Sequence, residues 1–119
     1  MLEISADQNN HLGAVQKERF ITTLAARLRR DFPRQTQPLA DPGLRRLIET
    51  GIGNARIYGL VNEGHVRFYC GMMLRHGNDF DADPALPWAG EILEDDHLTA
   101  AEKLARLDEV QVFLDRAAP

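Results

Sequence analysis

Four separate stretches of this chain repeat apolar residues every three or four positions, and no stretch sustains an alternation of apolar with polar. A period of two marks a half-buried strand and a period near 3.6 marks a helix with one buried face. The spacing therefore predicts an all-α fold, a bundle of four main helices plus one short helix. Connections of two to eight residues favour antiparallel neighbours. At 119 residues the chain is expected to form a single helical domain, 1–119, large enough for one core.

The first stretch carries Leu12, Val15, Phe20, Leu24 and Leu28, with Ile21 beside them and Lys17, Arg27 and Arg30 opposite. Ser5-x-x-Gln8 has the form of a capping box, so a long N-terminal helix is expected over about 5–32. It should stop at Phe32-Pro33, because the residue before proline avoids helical geometry. Gly13 is its expected weak point. Arg34-Gln35-Thr36-Gln37-Pro38 then reads as a polar linker to a helical core over about 41–117.

Asp41 is the expected cap of the second helix, with Pro42 at the first helical position, where a missing N–H needs no partner. Leu44, Leu47, Ile48, Ile52, Ala55 and Tyr58 form its stripe, and Gly59 ends it in a left-handed conformation. Gly51 and Gly53 each lower helix propensity, and small residues there permit close approach of another helix. Asn62 caps a third helix that runs to about His76, with Gly77 as terminator. Its apolar positions are Val66, Tyr69, Cys70, Met73 and Leu74, widened by Phe68 and Met72. A short helix spans Trp88 to Leu93. Thr99-x-x-Glu102 is a capping box for the last helix, with Leu104, Leu107, Val110 and Leu114 as its stripe and Phe113 alongside. Glu102 and Arg106 have the spacing of an i,i+4 ion pair. The residues expected to be mostly buried are Leu24, Leu28, Leu47, Ile48, Ile52, Tyr69, Met73, Leu104, Leu107 and Leu114.

The connection from Gly77 to Trp88 is the richest in chemistry. It holds Asp79, Asp81 and Asp83 at alternate positions, Phe80 between two of them, Pro84, Pro87 and the only tryptophan, Trp88. Helix connections are ordinarily shorter and polar. This loop must pack on the helices or meet a partner. Asp79, Phe80, Asp81, Asp83 and Trp88 are accordingly the candidate protein-binding residues: acids for basic side chains, and Phe80 or Trp88 as an apolar anchor or as a staple to the core.

Other chemistry has little support. Asp79-x-Asp81-x-Asp83 copies the first ligand positions of an EF-hand, but Pro84 stands where the turn needs glycine and Gly90 where a bidentate glutamate is needed. The acids are better read as caps of turns. His11, His65, His76 and His97 form no i,i+4 metal pair, and His76 suits the negative end of a helix. Cys70 is the only cysteine, which excludes an internal disulfide and a cysteine-based zinc site, and it lies on an apolar stripe. No phosphate loop, nucleophile elbow or paired-carboxylate spacing is present. No catalytic, cofactor-binding or metal residue is assigned, and the expected protein is not an enzyme. A formal net charge of −4 argues against nucleic acid and against an anionic membrane surface. The first residues lack the basic start and apolar run of a secretory signal, so a cytoplasmic protein is expected.

From Leu44 to Leu107 the chain resembles a set of short proteobacterial proteins encoded near type VI secretion spike and effector genes. The matching residues are Leu44-Arg45-x-x-Ile48-x-x-Gly51-Ile52, Ala55-Arg56-x-Tyr58-Gly59-Leu60, Gly77-x-x-Phe80-Asp81-x-Asp83-Pro84, and Pro87-Trp88-Ala89-x-x-Ile92-Leu93. Phe20, Leu28-Arg29 and Phe32-Pro33 also fit. The resemblance implies a non-enzymatic accessory protein: an adaptor or co-chaperone for a secretion effector or spike, or alternatively an immunity protein that neutralises a cognate toxin. It carries over no catalytic residue.

Overall fold

The computed structural model describes the backbone of residues 6–117 and the side chains of residues 16–117. The described residues are all-helical, with no strand among them. They form α1 (Ala6–Asp31), α2 (Pro33–Thr36), α3 (Asp41–Ile57), α4 (Glu63–His76), a 3-10 turn (Phe80–Ala82), α5 (Pro87–Leu93) and α6 (Ala100–Ala117). The proposed Ser5–Gln8 capping box, the side chains of Leu12 and Val15, and His11 lie outside the described residues. The chain divides into two compact units, Met1–Glu49 and Thr50–Pro119.

In the first unit, α1 ends one residue before Phe32, whose backbone (φ −130°, ψ 63°) has left the helical region that a following proline disfavours. The expected polar linker instead makes one helical turn, α2. Its first position is Pro33, and Thr36 is buried with its hydroxyl donating to the Phe32 carbonyl at 2.8 Å. Arg29 ties this turn together. Its guanidinium donates to the Thr36 carbonyl (3.0 Å), the Leu39 carbonyl (2.9 Å) and the Asp41 carboxylate (2.8 Å). Asp41 therefore serves Arg29, and α3 starts one residue earlier than expected, with the Leu44 amide bonded to the Ala40 carbonyl. Ile21, Leu24, Leu28, Leu44, Leu47 and Ile48 are buried, while Arg45 bridges Glu18 and Glu49 at the surface.

The second unit begins inside α3. A Cβ on Gly51 would come within 2.6 Å of the Cys70 sulfur, so this glycine sets how closely α3 and α4 approach. Gly53 has nothing within 4 Å of its Cβ position and makes no such contact. The end of α3 is a Schellman turn: the Leu60 amide bonds the Ala55 carbonyl (2.9 Å) and the Gly59 amide bonds the Arg56 carbonyl (3.0 Å). Gly59 sits at φ +80°, as the sequence required, and Leu60 and Ala55 are buried beneath it.

Asn62 caps α4 by accepting from the His65 amide at 2.8 Å, and the Gly77 amide closes the helix on Met73. The capping box of α6 is reciprocal: Thr99 N–H to Glu102 (2.8 Å) and Glu102 N–H to the Thr99 hydroxyl (3.1 Å). Glu102 thus turns back to its cap, and the expected pair with Arg106 does not form. Helix α6 packs against α4 and α5. Tyr69, Met73 and Leu107 are buried as expected, but Ile52 and Leu104 are half-buried and Leu114 is exposed. Leu114 lies on a face of α6 left open, although its neighbour Asp115 still meets Arg75 of α4.

Candidate functional site

The 3-10 turn makes the Gly77–Trp88 connection part of the core of the second unit. Phe80 is fully buried, its ring 4.9 Å from that of Tyr69, and Tyr69 in turn lies 6.4 Å from Tyr58. Phe80 staples the loop and cannot anchor a partner while the unit stays folded. Of the two roles that the sequence left open for Phe80, its burial fits the staple.

Asp81 is also committed inward. The Tyr58 hydroxyl donates to its carboxylate at 2.6 Å, joining the end of α3 to the 3-10 turn. Burial raises the Tyr58 hydroxyl well above its ordinary range, and the hydrogen bond to Asp81, the Asp81 charge and the Glu94 charge raise it further. Tyr69 is raised in the same direction, first by burial and then by the Asp81 charge; its enclosed hydroxyl makes no hydrogen bond of ordinary geometry. Cys70 lies among these groups with its thiol pushed up to about 12 by burial, so it stays protonated and unreactive.

The remaining loop residues have separate fates. Asp83 accepts from the Ala85 amide at 2.9 Å, a local turn of the kind its side chain favours. Asp79 is exposed and caps nothing. Trp88 is half-exposed and meets His76 edge-on at 6.0 Å. His76 donates to Gln111 at 2.6 Å, and Gln111 donates on to Asp115 at 2.9 Å, linking α4 to α6. His76, Asp79, Asp83 and Pro84 border a shallow open depression of about 350 Å³. The three acids of the loop do not converge, and among the described residues no group of three or more His, Cys, Asp or Glu is placed to hold a metal.

Two surfaces of the second unit were not singled out from sequence. At the α3–α4 corner, Ile57 is 74% exposed and Val61 69% exposed, on either side of the Schellman turn. At the end of α6, Phe113 is 69% exposed, with Val112 and Leu114 beside it. The corner is held by Lys103, whose buried stem carries its ammonium to the Tyr58 carbonyl (3.1 Å), and by the Tyr58–Asp81 bond. The signal was present in the chain: Ile57 and Val61 fall outside the apolar stripes that bury their neighbours.

Comparison of the chain with known protein families, with characterised proteins and with solved structures finds no match. No helix of the described residues is long and apolar enough to cross a membrane.

Proposed function

We propose that the protein acts by binding another protein, as a non-enzymatic adaptor or co-chaperone for a type VI secretion effector or spike. The observation that carries the binding role is the exposure of Ile57, Val61 and Phe113 on one small unit. Large apolar side chains held open at two places on so small a unit support surfaces that are covered in use. The secretion setting rests on the resemblance of Leu44–Leu107. A second reading, an immunity protein, is favoured by one feature: residues 77–102 carry eight acidic side chains and no lysine or arginine, an acidic segment suited to a basic toxin.

Capture from the native cell with a tagged chain, followed by deletion of the gene, tests both readings. An adaptor retains an effector or spike protein, and its deletion lowers export of that protein without killing the cell. An immunity protein retains a toxin, and its deletion kills cells that make the toxin. Failure to retain any protein above an untagged control refutes the binding role itself.

A further inference from the structure

We infer that the open face of α6 around Phe113 pairs with the same face of a second copy of this chain, the two helices running antiparallel about a two-fold axis between Val112 and Phe113. This goes beyond the binding role proposed above and does not rest on it.

The face is apolar at its centre and charged at its ends. Lys103, Leu107 and Gln111 are buried and mark the covered side of α6. Val112 and Phe113 stand away from that side, 38% and 69% exposed, and Glu109 and Arg116 are exposed with them. Positions three, four and seven residues after Glu109 return to its own side of the helix, which gathers all four side chains on one surface. An aromatic ring at the centre of such a surface is the usual anchor of an interface.

The charges select the occupant. Glu109 and Arg116 lie equally far before and after the midpoint of Val112 and Phe113, about 10 Å apart along the helix. A two-fold axis at that midpoint sets each Glu109 against the second copy's Arg116. Phe113 then meets Phe113 and Val112 meets Val112, the self-matching that a two-fold contact requires. Neither charge is spent inside the chain: among the described residues, Glu109 and Arg116 make no hydrogen bond or ion pair, not even Glu109 with Arg106 one turn earlier. Asp115, beside Arg116, is turned instead to Gln111 and Arg75. A surface of one charge sign would attract one end of this face and repel the other, and a parallel copy would set like charges together. The antiparallel copy satisfies both ends.

The size of the contact sets how it must be measured. Two turns of helix cover less than the roughly 800 Å² per partner of a standard stable interface, so the pair should come apart on dilution.

Sedimentation equilibrium of the full chain from about 10 μM to about 1 mM is the test, with the mass expected to climb toward that of two chains. Phe113→Ala, Glu109→Arg and Arg116→Glu should each weaken the pairing by about tenfold or more. Each charge reversal places like charges at both ends of the contact. Mixing the two reversed chains restores both attractions, so the mixture should pair about as well as the native chain. The double variant Glu109→Arg with Arg116→Glu should do the same. Circular dichroism confirms that each variant is folded. A chain that stays monomeric to about 1 mM overturns the inference. So does a dimer indifferent to Phe113→Ala or to both single reversals, or a loss that neither mixing nor the double variant rescues. Ile57→Ser with Val61→Ser should leave the pairing intact, and its loss in that variant would overturn the assignment to α6.

Discussion

Gly90 in α5 gives the sharpest test of how the acidic loop is held. A Cβ built on it would lie 2.8 Å from the carbonyl oxygen of Asp81. Ordinary carbon–oxygen contacts begin near 3.3 Å, so Gly90→Ala must separate α5 from the 3-10 turn by about 0.5 Å. The obstacle is backbone, which cannot turn aside like a side chain. Behind it Phe80 is fully buried, and Asp81 is fixed by the Tyr58 hydroxyl. Forcing a methyl group into such packing costs about 1–3 kcal/mol. Alanine returns about 1 kcal/mol through helix propensity, leaving a net loss of up to about 2 kcal/mol. In a domain of this size that lowers Tm by up to about 8 °C. Gly53→Ala is the internal control. It brings the same propensity gain at a helical position with nothing within 4 Å, and should stabilise by up to about 1 kcal/mol. Urea unfolding followed by circular dichroism at 222 nm measures both. A Gly90→Ala protein stabilised as much as Gly53→Ala would refute the close approach of α5 to the turn.

Other substitutions probe the same structure. Gly59→Val forces a branched side chain to φ +80°, and unfolding should show a loss of about 1–2 kcal/mol although no atom is in its way. Tyr58→Phe removes the 2.6 Å bond to Asp81 and should cost about 1–2 kcal/mol in urea unfolding, whereas Asp79→Asn should stay within about 0.5 kcal/mol. The Cys70 thiol titrates at 9.0 when unfolded and at about 12 when folded, so between those values the folded chain binds more protons. Its share of stability is intact below pH 9 and falls as pH rises through that window, by at most about 1.4 kcal/mol per pH unit. Tyr58 and Tyr69, raised in the same direction, steepen the fall from about pH 10. Unfolding at pH 7, 9 and 10.5 should show this, with a shallower alkaline limb in Cys70→Ala. Thiol labelling at pH 8 should proceed only as the chain unfolds.

The parts of the fold legible in the sequence are those set by neighbours along the chain. The Schellman turn at Gly59, the Asn62 cap and the Thr99–Glu102 box each depend on residues within five positions of one another, and each formed where its residue types demanded. Errors arose where a distant group competed. Asp41 had the right chemistry to cap α3, but Arg29, twelve residues earlier, took its carboxylate. Pro33 was read as the end of one helix when it also starts the next, because its fixed φ suits both. Leu114 continues a correct periodicity onto a face left open, and periodicity carries no record of which part of a stripe a neighbour covers.

The candidate site shows the same division more sharply. Asp79, Asp81 and Asp83 look equivalent in sequence, yet a single turn of 3-10 helix gives them different surroundings. Phe80 is buried, Asp81 reaches Tyr58, and Asp83, in the extended residue that follows the turn, accepts from the Ala85 amide. Phe80 decides the arrangement, because burying its ring removes more apolar surface from water than any other side chain in the loop except Trp88. Once that ring is inside, Asp81 must find a donor, and the Tyr58 hydroxyl 23 residues earlier supplies it. No local pattern announces such a pair, since a tyrosine at a helix end and an acid in a loop are each ordinary alone. Packing thereby consumes one aromatic and the central acid of the loop, while Asp79 and part of Trp88 stay open, so residues that look alike in sequence part company only once the turn has formed.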